Sequence, residues 1–251
     1  MSNVKSRDFN FWFNIFILAG MTVAMICTTA FKLSSAESGK ILLLISAFGS
    51  LMGVLANVCS ANGMILTFLF GLLDVSVYGV MCLVSWAGGG SGLGNGVLHL
   101  LYFLPMQFIG FHQWRRRGAR EKEQVSARRQ TPRQRVLYAL IFLAGAVAAS
   151  IVIAWFDRSA AGTFFRWAII FDAVSFVCNI IGQWLMSSAY MEQWIFWIIV
   201  NVSSILMWSA EYSSGASSAY ALIYIIKYSF YLLNALNGLR IWIQLSRGAS
   251  E

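Results

Sequence analysis

The chain has little charge and almost no proline. Only 11% of its 251 residues are charged, and 2 are proline. A soluble domain carries roughly a quarter of charged residues, so this composition excludes an ordinary soluble domain, and its apolar content excludes disorder. Hydrophobic residues make up 59% of the chain, and its mean hydropathy is +0.68. We therefore predict an all-α integral membrane protein, because a helix satisfies its own backbone hydrogen bonds in lipid.

Residue patterns that carry catalysis or bind metals are also scarce. The 2 histidines, His99 and His112, have no partners at ligand spacing, and the 4 cysteines include no CxxC pair. We find no Ser-His-Asp pattern and no P-loop. The sequence therefore predicts no enzyme, no metal site and no bound cofactor. We interpret the cysteines as small buried side chains.

Apolar stretches of spanning length recur along the chain. A spanning helix needs about 20 mostly apolar residues. The stretches cover about residues 9–31, 41–58, 63–87, 95–114, 135–156, 164–187, 192–210 and 218–245. They predict eight membrane helices. Tryptophans near span ends usually lie in the membrane interface, and we interpret six in this way: Trp12, Trp86, Trp114, Trp155, Trp208 and Trp242.

Positive charge is concentrated in one loop. The net charge is +8, and nine of the 18 Lys and Arg residues lie between residues 115 and 135. Such clusters mark the cytoplasmic side of a membrane protein. We therefore expect a lipid bilayer rather than a nucleic acid as the partner of this charge. Eight spans then place both termini in the cytoplasm.

Local patterns recur in the two halves of the chain. Leu73-Asp74-Val75-Ser76 resembles Val200-Asn201-Val202-Ser203, and Gly110 and Gly238 each precede a tryptophan by four residues. These matches predict two parallel three-helix repeats, the 3+1+3 arrangement of SWEET-like proteins, plus an N-terminal helix. The predicted segments are 1–35 (N-terminal helix), 40–114 (first repeat), 115–134 (basic cytoplasmic loop), 135–156 (connecting helix) and 164–246 (second repeat).

Polar and aromatic side chains form stripes on the predicted spans. Trp194, Trp197 and Asn201 follow i, i+3, i+7 spacing, which places two indoles and one amide on one helix face. Lipid offers such groups no partner, so they usually face a cavity or another helix. Interhelical hydrogen bonding remains an open alternative for each amide. The candidate substrate-binding residues are Asn57, Asp74, Gln107, Gln183, Trp184, Trp194, Trp197, Asn201, Tyr224 and Asn237.

We expect these groups to line one cavity. Aromatic faces bind planar and cationic rings, and amides match carboxamide or hydroxyl groups. A polar, ring-bearing small molecule such as a nucleoside or a vitamin fits this chemistry better than a bare ion does. Lys227 is the only cation among the stripes. Because burying an unpaired phosphate is costly, we expect phosphorylated substrates to be excluded.

The sequence resembles the PnuC family of bacterial nicotinamide riboside transporters over about residues 40–247. The C-terminal half carries the more specific motifs, a WxxWxxxN element and an ALNGxRxW element. The segments that carry the likeness are 70–75, 183–185, 192–197, 201–202 and 235–242. Where many relatives have asparagine, this chain has Asp74, and its role stays open.

This resemblance implies a homotrimeric transporter in the bacterial inner membrane. It also implies facilitated diffusion of nicotinamide riboside by alternating access, with cytoplasmic phosphorylation trapping the product. By position, Trp194, Trp197 and Asn201 match the family's substrate-site motif. The resemblance gives a contributing role to four more residues: Gln107, Gln183, Trp184 and Asn237.

Other functions remain open. A related transporter for thiamine, riboflavin or a deoxynucleoside would share the fold. A membrane-embedded enzyme, or a receptor with a bound cofactor, would require a nucleophile or metal cluster facing the cavity. An ion channel would require a continuous polar pore.

Overall fold

The computed structural model describes residues 2–35, 40–87, 93–119, 124–156, 167–213 and 218–247. Nearly all of these residues are helical, which confirms the predicted all-α membrane protein. The helices are α1 (Ser2–Ser35), α2 (Lys40–Ala61), α3 (Leu66–Ala87), α4 (Leu93–Leu98), α5 (Leu104–Arg116), α6 (Pro132–Phe156), α7 (Trp167–Ser187), α8 (Gln193–Ser213) and α9 (Ser218–Arg247). A π-helical segment, His99–Phe103, joins α4 to α5.

Helix positions follow the apolar stretches of the sequence. Within the described ranges, five helical segments are long and apolar enough to cross a membrane: Asp8–Ser34, Lys40–Ala61, Leu66–Val84, Pro132–Trp155 and Ile169–Ser187. The apolar part of α8, Gln193–Ser209, is shorter. Residues 164–166 at the predicted start of the sixth span, and Arg120 and Lys122 of the basic loop, lie outside the described residues.

The fourth predicted span is not a uniform α-helix. Its middle is the π-helical segment His99–Phe103, and Pro105 follows at the start of α5. Proline lacks an N–H and its ring collides with the carbonyl four residues earlier in a regular α-helix. A wider π turn before Pro105 removes that collision. The hydropathy pattern could not show this, since it is the same for both helix types.

The chain forms two compact units, Met1–Val125 and Ser126–Glu251. In the first unit α2 packs against α1 and α3, and α3 also contacts α4, the π-helical segment and α5. In the second unit α7 packs against α6 and α8, and α8 packs against α9. The apolar core of the second unit is built from residues of α7, α8 and the turn between them: Val177, Cys178, Ile181, Leu185, Tyr190, Phe196 and Val200. The boundaries of the three-helix repeats stay a prediction.

Both units contain the same turn between consecutive helices. Gly63, with φ of 67°, follows α2, and Ala189, with φ of 58°, follows α7. The Gly63 N–H donates to the Ser60 carbonyl at 3.0 Å, and the Ala189 N–H donates to the Met186 carbonyl at 2.9 Å. The hydrogen bonds of the flanking residues correspond as well. In each unit a residue in the left-handed conformation ends the helix, and the next helix begins the same number of residues later.

This shared turn shows which residues of the two units correspond to each other. Thr67 and Phe68 of α3 occupy the places of Gln193 and Trp194 of α8. By the same register Asp74 corresponds to Val200. The sequence match of Asp74 with Asn201 was therefore wrong by one residue. The turn decides the register because both helices run without interruption from it.

Glycine permits close aromatic packing at the same place in both units. A Cβ on Gly110 would collide with the Phe68 ring, and that ring meets Trp114 edge-on at 4.8 Å. A Cβ on Gly238 would lie 2.7 Å from the Trp194 ring, which meets Trp242 edge-on at 6.3 Å. The Gly-x-x-x-Trp patterns of the sequence therefore mark buried aromatic pairs.

Two sequence interpretations were wrong. Trp114 and Trp242 are fully buried, so they are not interfacial anchors. The glycine one turn earlier brings a second aromatic ring onto each of them, and this contact replaces the membrane interface. Among the cysteines, Cys27 is exposed rather than buried, while Cys178 is buried. All four cysteines are free.

Arg128 and Arg129 of the basic loop belong to the second unit and pack within it. The Arg128 N–H donates to the Ala189 carbonyl at 2.7 Å, and the Met191 N–H donates to the Arg128 carbonyl at 2.9 Å. The Arg128 guanidinium lies 4.5 Å from the centre of the Tyr190 ring. Arg129 Nε donates to Ser246 Oγ at 2.8 Å. These basic side chains therefore hold the loop in place, in addition to any role in membrane topology.

Candidate functional site

The predicted motif of two tryptophans and an asparagine lies on α8. Trp194 is 2% exposed and Asn201 is 7% exposed, while Trp197 is partly buried and packs on the apolar core of the second unit. A Cβ on Gly182 of α7 would lie 3.2 Å from two atoms of the Trp197 ring. Glycine at 182 therefore lets the indole lie close to the α7 backbone. These side chains face the protein, as the i, i+3, i+7 spacing predicted, and not the lipid.

Trp194 also forms one of the contacts between α8 and α9. Its ring fills the space above Gly238 and packs edge-on against Trp242. Its indole nitrogen Nε1 is buried and has no hydrogen-bond partner among the described residues. Trp194 thus offers an aromatic face and one unused donor.

On α9 the predicted residue Asn237 is buried, with 6% exposure. Its Oδ1 accepts hydrogen bonds from Arg240 Nε at 3.1 Å and Arg240 Nη2 at 2.8 Å. Its Nδ2 is buried and, within the described ranges, unpartnered. The expectation that Lys227 is the only cation near the candidate residues was therefore wrong. The i, i+3 spacing of Asn237 and Arg240 could have revealed this neighbour.

The adjacent residues Gln183 and Trp184 of α7 have different environments. Gln183 is 6% exposed, and its Nε2 donates to Ser187 Oγ at 3.3 Å. Trp184 is 44% exposed, and its indole N–H donates to the Tyr138 hydroxyl of α6 at 3.0 Å. Gln183 thus shares the buried character of the α8 residues, whereas Trp184 lies on the side of α7 that meets α6.

Tyr224 belongs to an aromatic group around a lysine. Its ring stacks on Trp208 of α8, with ring centres 4.3 Å apart and planes 12° apart. Lys227 Nζ lies 6.0 Å from the centre of the Tyr224 ring, and the rings of Tyr228 and Tyr231 lie at 6.0 and 5.5 Å. Aromatic faces attract cations, so this part of α9 already surrounds one positive charge with three rings.

In the first unit Gln107 of α5 is buried against α3. It is 5% exposed, its Nε2 donates to the Phe103 carbonyl at 3.2 Å, and its Oε1 has no partner in the described part of the chain. A Cβ on Gly71 would lie 2.5 Å from that Oε1. Glycine at 71 therefore makes the space that the amide occupies.

The other two candidates of the first unit lie on α2 and α3. A Cβ on Gly53 of α2 would lie 2.9 Å from the carboxyl atoms of Asp74, so the carboxylate rests on the α2 backbone. Asn57, one turn further along α2, is half-buried. Both residues make further polar contacts within the protein.

Two buried polar residues at the start of α8 were missed as candidates. Gln193 is fully buried, and Glu192 is 3% exposed. Glu192 Oε1 accepts hydrogen bonds from the Gln130 N–H at 3.0 Å and from Arg135 Nη2 at 3.2 Å. Their place directly before Trp194 was visible in the sequence, but neither residue lies on the stripe that selected the others.

The described residues contain no group of three His, Cys, Asp or Glu side chains that could hold a metal ion. The candidate residues instead offer indole and phenol rings, amides and a few cationic groups. Such a set can bind a planar ring and hydrogen-bond to its substituents.

Comparison with known proteins points to one family. The family described as nicotinamide mononucleotide transporter matches residues 43–244. A nicotinamide riboside transporter PnuC from Neisseria mucosa is 31% identical over 207 residues, covering 80% of this chain and 72% of that protein. PnuC proteins from Haemophilus influenzae and Escherichia coli are 27% and 23% identical. The first of these two comparisons covers 80% of each chain, and the second covers 81% of this chain and 86% of the relative.

A solved structure has the same fold. The crystal structure of the vitamin B3 transporter PnuC superimposes with a TM-score of 0.65 at 26% identity, over 95% of this chain and 93% of that one. The family match over residues 43–244 contains every candidate residue described above, from Asn57 on α2 to Asn237 on α9.

Proposed function

This chain belongs to the nicotinamide mononucleotide transporter family, and from that membership we propose that it carries nicotinamide riboside across the membrane. The family also makes it a multi-pass membrane transporter and not an enzyme. The choice of substrate follows the relatives that are 31%, 27% and 23% identical, each of which is named a nicotinamide riboside transporter.

One structural observation carries the choice of substrate class. Trp194, Trp197 and Asn201 are turned into the protein although they belong to an apolar helix. Nicotinamide riboside carries a cationic pyridinium ring, a carboxamide and ribose hydroxyls. Indole faces attract such a ring, and amides such as Asn201 and Asn237 can bond to the carboxamide and hydroxyls.

The transport mechanism that we propose is uniport by alternating access. A uniporter only equilibrates its substrate, so continued uptake requires removal of the product. Phosphorylation of the riboside in the cytoplasm would supply that removal, since a buried phosphate dianion is costly to move back through an apolar protein. This mechanism requires no ion gradient.

Uptake by reconstituted protein tests the proposal. Labelled nicotinamide riboside should enter proteoliposomes to the same extent with and without a proton or sodium gradient. Trp197→Ala and Asn201→Ala should sharply weaken riboside binding in calorimetry while the protein stays folded. Uptake that depends on a gradient would contradict uniport, and unchanged affinity in both variants would contradict the assigned site. A panel with thiamine, riboflavin and deoxynucleosides separates the related transporters by ligand-induced thermal shift.

Nicotinamide mononucleotide is a second candidate substrate, favoured by two observations. The family description names it, and the Arg240 guanidinium lies beside Asn237. An arginine can pair with a phosphate. We expect calorimetry to detect riboside binding and no mononucleotide binding, because Arg240 is already bonded to Asn237. Mononucleotide binding that is lost in Arg240→Gln would reverse this choice.

We further propose a homotrimer in the bacterial inner membrane with both termini in the cytoplasm. The basic residues between 115 and 135 support this orientation. In a background without the native cysteines, an impermeant maleimide added outside should label Ser213→Cys and not Arg133→Cys, two exposed positions. The opposite labelling would invert the topology. Native mass spectrometry in detergent would give the number of subunits.

A further inference from the structure

Gln193 is a buried amide without a partner. Its side chain is fully buried, and neither Nε2 nor Oε1 has a hydrogen-bond partner in the part of the chain that the structure describes. Native proteins rarely leave such groups unsatisfied, and each one calls for an explanation. Two unused donors lie in the same region, at Trp194 Nε1 and Asn237 Nδ2. Asn237 directly precedes Gly238, over which the Trp194 ring packs.

The first unit shows that the fold does not need this amide. Thr67 occupies the place of Gln193 after the shared turn, and it is equally buried. Its hydroxyl donates to the Ala56 carbonyl at 2.9 Å, so its donor is used inside the unit. Phe68 occupies the place of Trp194, and its side chain carries no N–H. The side chains of Thr67 and Phe68 thus leave no donor unused. At the corresponding place in the second unit, Gln193 and Trp194 leave three side-chain atoms without a hydrogen bond: Gln193 Nε2, Gln193 Oε1 and Trp194 Nε1.

Two other unpartnered atoms nearby have a simpler explanation. Gln130 Nε2 and Glu192 Oε2 are both buried and unpartnered among the described residues. These two residues are already joined by the hydrogen bond from the Gln130 N–H to Glu192 Oε1. The remaining donor and acceptor therefore belong to two residues that are already in contact. Among the described residues the Gln193 side chain makes no hydrogen bond, so no contact of this kind holds a partner beside its amide.

We propose that Gln193 binds the carboxamide of the substrate. The inference rests on the proposed transport of nicotinamide riboside. Two primary amides can form a reciprocal pair, in which each N–H donates to the other carbonyl. Trp194 Nε1 and Asn237 Nδ2 are donors only, so of these three side chains Gln193 alone offers a free acceptor to the substrate NH₂ group. Asn234 Oδ1 of α9 is another buried acceptor without a hydrogen-bond partner among the described residues, but Asn234 makes a different contact within the protein. We therefore assign recognition of the amide form of the vitamin to Gln193.

Gln193→Met tests this role, with Gln244→Met as the matched control. Methionine keeps the length of the side chain and removes both polar atoms, and Gln244 is exposed on α9. Loss of two neutral hydrogen bonds should weaken riboside binding by about 10- to 100-fold in Gln193→Met. The melting temperature of the ligand-free protein should stay equal or rise, because the variant buries no unsatisfied amide. Gln244→Met should change neither quantity.

A second ligand separates carboxamide recognition from a general loss of binding. Nicotinic acid riboside carries a carboxylate in place of the carboxamide. The wild type should prefer the amide ligand, and Gln193→Met should lose most of this preference. Equal weakening of both ligands would overturn the assignment to the carboxamide.

The remaining outcomes also decide the matter. If the wild type binds riboside and Gln193→Met binds it with the same affinity, this inference is overturned and the proposed function stays intact. A lower melting temperature of the ligand-free variant would show that the amide has a permanent partner, which also overturns the inference. A wild type that binds no riboside would overturn both.

Discussion

Gly238→Ala should damage the junction between α8 and α9. The added Cβ would lie 2.7 Å from Cη2 and Cζ2 of Trp194 and 2.8 Å from Cε2. Ordinary contacts between carbon atoms are about 3.5–4.0 Å long, so three atoms of a rigid ring would be too close by about 1 Å. The ring has no room to move, because Trp194 is 2% exposed and packs against the fully buried Trp242.

The expected loss of stability follows from two opposing terms. Overpacking of a filled core costs about 1–3 kcal/mol, and a rigid ring places this contact near the upper end. Replacing glycine by alanine inside a helix stabilises the folded protein by about 1 kcal/mol. We therefore expect a net loss of about 2 kcal/mol, a change of roughly 30-fold in the ratio of folded to unfolded protein. Riboside affinity should fall as well, since Trp194 is displaced.

SDS-titration unfolding in detergent measures this change, and two controls make it specific. Gly145→Ala introduces a Cβ 3.1 Å from one methyl group of Val177 and 3.4 Å from the other. A shift of a few tenths of an ångström relieves this contact, so the variant should lose much less stability than Gly238→Ala. In a Trp194→Ala background the Gly238→Ala change should cost nothing, because the ring is absent. Wild-type stability in Gly238→Ala, or equal damage in Gly145→Ala, would refute the reasoning.

Two further predictions concern buried polar groups. Gly71→Ala would place a Cβ 2.5 Å from Gln107 Oε1. Calorimetry should therefore show several-fold weaker riboside binding, while the melting temperature changes little. Unchanged affinity would show that Gln107 does not contribute to binding. Glu192→Ala should lose about 1–3 kcal/mol in the same unfolding assay, because it leaves the buried Gln130 N–H without an acceptor. Glu192→Gln keeps an acceptor and should lose less than about 1 kcal/mol, since the lost ion-pair partner Arg135 is 54% exposed; equal losses in the two variants would contradict this account.

The candidate site was partly predictable from helical spacing. Residues three and seven positions apart share a helix face, so the sequence alone groups Trp194, Trp197 and Asn201. All three are indeed turned away from the lipid. Gln193 could not be found in this way, because it lies one position away from that stripe. Its burial arises from the turn that begins α8, which periodicity does not describe.

The difference between Trp184 and Trp242 shows the same limit. Both lie in apolar helices, and the hydropathy of those helices does not distinguish them. The structure leaves Trp184 44% exposed and bonded to Tyr138, while Trp242 is fully buried. Burial of Trp242 depends on Trp194, and the approach of Trp194 depends on glycine at 238.

By itself the sequence determined that this is an all-α membrane protein, and where its helices lie. That information is local, since in lipid each backbone must satisfy its own hydrogen bonds and a run of apolar residues must match the membrane thickness. The tertiary structure alone decided which polar and aromatic groups are buried, and which of them lack a partner. Those properties depend on how closely neighbouring helices approach, and glycines such as Gly71 and Gly238 set that distance through contacts with residues far away in the chain.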